Sequence, residues 1–291
     1  MPFAPAALSS EWIKVNEPFP HVLHVQLSRN PVNAFSTRYW RAYGKLFERI
    51  TQEAPDVRAV VLSSALDKVF TAGLDLHDPE GIARPEDPND DSDPARKAIA
   101  NLSFIKEFQS AINCVERAPF PVIAAIHGIA LGLGLDMTSC CDVRYAAEDA
   151  SFSIKEVDIG IAADIGSLSY LPKVVGNNSL AREYAYTGQR FSASDAERMG
   201  YVSRVIPGSR EQVVSAALEL AKTIASKSPL AIAGTKRLIT HSRDHTVEQN
   251  LDYTAVWSSA MLQTEDTKEA LAATLGKRTP KFKTLKVLSR L

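Results

Sequence analysis

Two short apolar runs constrain this chain more than any other feature. Residues 57–62 (VRAVVL) and 121–126 (PVIAAI) are brief, rich in β-branched residues and lack polar alternation, so both read as buried strands. Each is followed by a glycine-bearing turn, FTAGLDL at 70–76 and HGIALGLGLD at 127–136. A third β-rich run, VLHVQL, lies at 22–27, and further strands are expected at 143–146 and 151–154. Between the runs at 22–27 and 57–62, Ser36 reads as the N-cap of a helix reaching about Glu53, with Tyr39, Tyr43, Leu46, Phe47 and Ile50 at helical spacing. Helices are also expected from about Pro94 to Arg117 and from Leu135 to Cys141. Residues 78–95, rich in Pro, Asp, Glu and Asn, read as a mobile surface loop. Beyond Asn178 the pattern is nearly all helical, with breaks at Gly188, Gly200, Pro207 and Pro229. Strands alternating with helices, then helices alone, predict an α/β core over 1–205 and a helical C-terminal region over 206–291.

Composition removes several classes of function. Among 291 residues, 33 Lys and Arg balance 34 Asp and Glu, which gives a net charge of −1 and argues against nucleic acid or an anionic membrane as partner. No apolar run reaches the length of a membrane span. The N-terminal MPFAPAALSSEW lacks a cationic stretch ahead of an apolar one, so no secretory signal is expected. Three cysteines, Cys114, Cys140 and Cys141, offer neither a disulfide framework nor a CxxC metal site, and the protein is expected to be reduced and intracellular. The C-terminal Ser289-Arg290-Leu291 is close to the peroxisomal address S-K-L, which predicts a peroxisomal import receptor as partner. Mitochondrial matrix and cytoplasm are the alternatives.

The glycine-rich turns carry the chemistry. Gly132-x-Gly134, with Glu156 about twenty residues on, could begin a dinucleotide fingerprint, but Met137 stands at the third glycine position and no Walker loop is present. The stronger reading is an oxyanion site. Ala72-Gly73-Leu74 and Gly132-Leu133-Gly134 each follow a buried strand, and one backbone N–H from each turn could converge on a single carbonyl oxygen. Around them, Asp158 reads as a cap or surface ion pair, Asp142 as structural, Asp75 as a group orienting its turn, and His127 as bonded to backbone. Histidines and carboxylates do not cluster at ligand spacing, so neither a metal nor another resident cofactor is expected.

These motifs resemble the crotonase (enoyl-CoA hydratase/isomerase) superfamily: FTAGLDL, then His127-Gly128-x-Ala130-x-Gly132-x-Gly134-x-Asp136, within a likeness running from Arg29-Asn30-Pro31 to Thr264-Glu265-Asp266. The resemblance implies a spiral of ββα units, with a helical C-terminal region for trimerisation and pocket closure. It implies a homotrimer, or a hexamer of two trimers, and an acyl-CoA thioester as substrate. It places the thioester oxygen on the N–H groups of Leu74 and Leu133, with Ala72, Gly73 and Gly132 lining the turns. Leu133 replaces the family's usual glycine, which a main-chain donor tolerates if its dihedrals suit. Arg29, Lys68, Lys277, Phe282 and Lys283 are the residues that the resemblance sets against coenzyme A.

Within the superfamily the acids decide the reaction. Asp136, Glu156 and Asp164, the last two within KEVDIGIAADIG, resemble the set of members that convert 3,5-dienoyl-CoA to 2,4-dienoyl-CoA in fatty-acid β-oxidation. That conversion removes a proton from C2 and returns one at C6, which two carboxyls across an apolar slot can do if one is ionised and the other protonated. Glu156 is assigned to C2, Asp136 to C6, and Asp164 supports them. An enoyl-CoA hydratase and a catalytically silent acyl-CoA binding protein are the alternatives.

Overall fold

The computed structural model describes residues 4–81 and 92–285. Ser289-Arg290-Leu291 and most of the expected acidic loop lie outside the described residues. The chain opens with an antiparallel pair, β1 (Ile13–Phe19) and β2 (Val22–Leu27), and then α1 (Thr37–Glu53). Ser36 caps α1 as expected, its side chain accepting from the Tyr39 amide at 3.4 Å. The face bearing Tyr39, Tyr43, Phe47 and Ile50 is buried, as the period required.

The two apolar runs become β3 (Ala59–Ser64) and β5 (Val122–Ile126), central strands of a six-stranded sheet. That sheet also holds β7 (Val143–Ala147) and β10 (Arg204–Ile206), in the order β1-β2-β3-β5-β7-β10. The strands β2, β3, β5, β7 and β10 pair in parallel. Their side chains divide by alternation. Val60, Leu62, Val122 and Ala124 enter one core, while Ala59, Val61, Ile123 and Ala125 enter a second core on the opposite face. That second face is covered by α8 (Arg210–Ala225), with Val213, Ala217 and Ala221 fully buried. The helical stretch after residue 205 thus begins by completing the core.

A second sheet holds β4 (Val69–Thr71), β6 (Ile129–Leu131), β8 (Ser151–Ser153) and β9 (Phe191–Ser192). The first three run parallel. Each large-sheet strand β3, β5 and β7 is followed directly by its small-sheet partner β4, β6 and β8, which is the ββ half of a repeating turn. The third member varies: α2 (Pro94–Ile112) and α3 (Cys114–Arg117), then α4 (Leu133–Ser139), then a 3-10 turn at Glu156–Ile159.

Some details differ from the sequence expectation. The long helix at 94–117 is interrupted at Asn113, the C-cap of α2, which leaves α3 as a separate short turn. Strands β1, β4, β6, β9 and β10 were not anticipated, and β4 takes up the start of the segment read as a turn; the last four have two or three residues, too few to express a period. The remaining helices are α5 (Ser167–Val174), α6 (Asn178–Thr187), α7 (Ala193–Met199), α9 (Pro229–Ser242), α10 (Val247–Met261) and α11 (Glu265–Leu275). One buried cation pins α9 to the core: Lys236 Nζ donates to Val115 O, Phe120 O and Asp142 Oδ2 at 2.8, 3.0 and 2.8 Å. Among the described residues, no helix is long and apolar enough to cross a membrane.

Candidate active site

The small sheet assembles the site. Because β4, β6 and β8 are parallel neighbours, their C-terminal ends lie side by side, and a chemistry-bearing segment leaves each end. Thr71 pairs with Ala130 and Leu131 with Ser153, so the Gly73 turn, the Gly132 turn and Glu156 emerge in one row. Gly132 N donates to Ser153 O at 2.9 Å, which fixes the second turn against the strand leading to Glu156.

The two glycine turns abut. A Cβ built on Gly73 would lie 2.9 Å from Leu131 O and 3.6 Å from Leu133 N, so the backbones approach as only glycine permits. Gly73 has φ +91. Leu74 bridges Phe35: Phe35 N donates to Gly73 O and Asp75 N to Phe35 O, while the Leu74 amide has no hydrogen-bond partner among the described residues. Leu133 is the first residue of α4, where an amide has no intrahelical partner. The positive φ of this turn falls on Gly132, at φ +49 and ψ −111, and Leu133 is not among the positive-φ residues. The Leu133 substitution therefore leaves the main-chain donor in place.

Asp136 lies in the first turns of α4 and is 2% exposed. Its Oδ1 accepts from both the amide and the hydroxyl of Ser167, each at 2.6 Å. Burial pushes its pKa up to about 6 against those two bonds, and the nearby Asp164 charge adds to the rise. Glu156 opens the 3-10 turn after β8 and is also buried. Its Oε1 would lie 2.9 Å from a Cβ on Gly132, so the carboxyl sits over the second turn. Its Oε2 is buried with no hydrogen-bond partner among the described residues. Desolvation, then the Asp136 charge, raise Glu156 to about 7.

Asp164, the acid expected to support the pair, is not enclosed with it. It is exposed, on the loop before α5, with its carbonyl accepting from Gln109 Nε2 of α2 at 2.7 Å. Its own pKa is raised by desolvation, and its charge raises both buried acids. The site is two buried carboxyls with a third at the rim.

The residues set against coenzyme A are more scattered. Arg29 donates to Asp75 Oδ2 at 2.8 Å and to Ala34 O, so its guanidinium braces the first turn. Desolvation works against the Asp75 carboxylate, but bonds from Arg29 and the His77 amide hold its pKa below the ordinary value. Ala72 N donates to Val32 O at 3.0 Å. Lys68 is exposed beside the site strands. Lys277, Phe282 and Lys283 follow α11, where Lys283 pairs with Glu265 and Phe282 O accepts from Arg58 at 3.4 Å. The single chain does not bring these three to the glycine turns through any hydrogen bond or ion pair among the described residues.

The structural readings also resolve. Asp158 pairs with Lys155 at 2.5 Å on the surface, Asp142 accepts from Lys236 and the Val122 amide, and His127 Nε2 meets Leu66 O at 2.7 Å. Sequence reasoning did not find Ser167 or Gln109. Ser167 lies 31 residues from the acid it contacts, and no spacing rule links them.

Comparison with known proteins follows the same lines. A family model described as enoyl-CoA hydratase/isomerase matches residues 20–285. A Homo sapiens protein named Delta(3,5)-Delta(2,4)-dienoyl-CoA isomerase, mitochondrial, is 46% identical over 91% of this chain and 80% of its own. An Arabidopsis thaliana protein of that name, peroxisomal, is 41% identical over 90% of this chain and 92% of its own. The crystal structure of an enoyl-CoA hydratase from Bacillus anthracis superposes with a TM-score of 0.81 at 32% identity, covering 94% of this chain and 99% of that one.

Proposed function

The chain belongs to the enoyl-CoA hydratase/isomerase family, and we propose that it isomerises 3,5-dienoyl-CoA to 2,4-dienoyl-CoA in fatty-acid β-oxidation. The observation that carries this is a pair of buried carboxyls, Glu156 and Asp136, both titrating near neutrality beside two uncommitted backbone donors.

The thioester oxygen accepts hydrogen bonds from the Leu74 and Leu133 amides. Glu156, over the Gly132 turn and so nearest that oxygen, takes the C2 proton. The C2–H electron pair spreads through C3=C4 and C5=C6 to C6, with negative charge shared by the oxygen. Asp136, one helical turn beyond Leu133, gives its proton to C6, which leaves double bonds at C2 and C4. Atoms and electrons balance within the substrate, so the reaction takes no redox cofactor, and we assign it no metal. Burial brings Asp136 up to about 6 and Glu156 up to about 7, close enough that a single shared proton can sit on either acid, and the reaction draws on the form with Glu156 ionised and Asp136 protonated. Asp164 at the rim supports the pair through its charge.

Arg29, Lys68, Lys277, Phe282 and Lys283 are proposed to meet the coenzyme A portion, the last three after assembly. Val247 and Leu275, 80% and 86% exposed on α10 and α11 of the single chain, support a homotrimer or a hexamer of two trimers. Light scattering on the eluted protein measures this directly. Relatives bear both mitochondrial and peroxisomal names, and the peroxisome is the location that Ser289-Arg290-Leu291 supports. A fluorescent fusion that reaches peroxisomes equally well without this tripeptide overturns that location.

The decisive assay supplies 3,5-octadienoyl-CoA and follows the conjugated 2,4-dienoyl chromophore, with and without a chelator. Turnover in both conditions is expected. Slow diene migration beside fast hydration of a 2-enoyl-CoA would make the protein a hydratase.

A further inference from the structure

We propose that Asp56 and Arg58 are positioning residues for the nucleotide of coenzyme A: their buried ion pair fixes the register of the C-terminal tail, so that Phe282 and Lys283 are in place before the substrate arrives. This rests on the reading that Phe282 and Lys283 meet coenzyme A. Arg58 is a charge in the apolar run that becomes β3, and none of the reacting groups touches it. Arg58 and Asp56 are 8% and 6% exposed. A buried pair offsets its desolvation only where its remaining donors and acceptors are filled. Arg58 Nε and Nη2 donate to the Asp56 carboxylate at 3.1 and 2.8 Å. Nη1 donates to the carbonyl of Ala225, the last residue of α8, at 3.2 Å, and Nη2 also to Phe282 O at 3.4 Å. Asp56 Oδ1 accepts from the Leu285 amide at 3.3 Å, and His21 Nδ1 lies 3.2 Å from Oδ2. The cation thus holds one tail carbonyl and the anion holds the amide three residues on.

The tail depends on this clasp. Residues 277–285 form no helix or strand. Their other contacts of this kind run within the tail or to α11, which is continuous with it. Glu269 accepts from Arg278 at 2.6 and 2.8 Å and from the Lys281 amide at 2.7 Å, and Lys283 pairs with Glu265. Among the described residues, the hydrogen bonds from the tail to the α/β core are those to Arg58 and Asp56. The segment they hold has the chemistry of a nucleotide site. Lys277, Arg278, Lys281 and Lys283 surround one aromatic, Phe282. Phe282 also walls a cavity with Lys227 and Ser228, where α8 turns into α9. Cations suit phosphates, and an aromatic face suits a purine. A free extended segment would have to be ordered at each binding event, whereas in a clasped one that cost falls on folding.

Isothermal titration with coenzyme A tests the clasp and needs no turnover. The double variant Asp56→Asn, Arg58→Met removes both charges together; asparagine suits the positive φ of +52 at residue 56, and methionine keeps an apolar stem. Its Kd for coenzyme A is expected to rise about tenfold. Leu285→Pro removes only the tail's own donor, should shift Kd the same way, and serves if the double variant does not fold. The second readout is kcat/KM for 3,5-octadienoyl-CoA divided by kcat/KM for its N-acetylcysteamine thioester, which lacks the nucleotide. That ratio should fall about tenfold, whereas damage to the fold lowers both substrates alike and leaves the ratio unmoved. An unchanged Kd or an unchanged ratio overturns the proposal. So does weakened binding accompanied by loss of the oligomer in light scattering, which assigns the pair to assembly. The double variant Phe282→Ala, Lys283→Ala separates the two readings. Parental coenzyme A binding in it would refute the tail contact itself, and the proposal with it. Weakened binding there beside parental binding in the clasp variants would refute the clasp alone.

Discussion

Replacing Glu156 by glutamine should cut turnover steeply and, as pH rises through neutrality, shift stability in favour of the variant. The carboxyl is buried, one of its oxygens has no partner, and its pKa is raised from 4.5 to about 7 by desolvation and then the Asp136 charge. A carboxyl that binds its proton more tightly folded than unfolded costs stability as pH rises. The loss begins near the unfolded value of 4.5 and is complete once pH exceeds about 7. At about 1.4 kcal/mol per pH unit, the rise corresponds to about 3 kcal/mol. Glutamine keeps the shape and cannot ionise. Any fixed penalty for burying its amide cancels when two pH values are compared. Urea unfolding of parent and Glu156→Gln at pH 4.5 and pH 8 should therefore show the difference moving by about 3 kcal/mol in favour of the variant. Isomerase activity should fall by roughly 10²–10⁴-fold, the usual worth of a general base. A stability difference that is the same at both pH values would refute the buried, perturbed carboxyl. Near-parental turnover would refute its role.

Asp136→Asn should lose a similar factor in kcat while isothermal titration shows binding of a non-reactive acyl-CoA unchanged. Gly73→Ala places a Cβ 2.9 Å from Leu131 O at φ +91, so the turn must shift and the Leu74 donor with it; a kcat loss on the order of 10²-fold is expected, measured with the same diene substrate. Lys236→Met strands the Asp142 carboxylate, whose pKa burial already raises, and should cost about 3–5 kcal/mol in urea unfolding. Much of that loss should return in the double variant Lys236→Met, Asp142→Leu.

The two glycine turns were legible because their signals are local: a short β-branched run and the glycines that follow it leave a mark within a dozen residues. Asp136 and Glu156, twenty positions apart, were recognised through the family resemblance of the segments that carry them. The brief strands β6, β9 and β10 left no such mark, since two or three residues express no period and exist only because a neighbour supplies the ladder. Arg29 shows what a local signal leaves out: its guanidinium is engaged by Asp75, 46 positions away, a pairing that no spacing rule marks.

By itself the sequence determined which segments must be buried and where the backbone needs glycine, because both follow from side-chain size, polarity and torsional sterics at single positions. Only the tertiary structure decided that Glu156 and Asp136 are both enclosed while Asp164 lies at the rim, and that Ser167 occupies one oxygen of Asp136. Solvent access and hydrogen-bond partners belong to the packed arrangement of distant segments. Those two quantities set whether a carboxyl is an ordinary surface charge or an acid poised near neutrality.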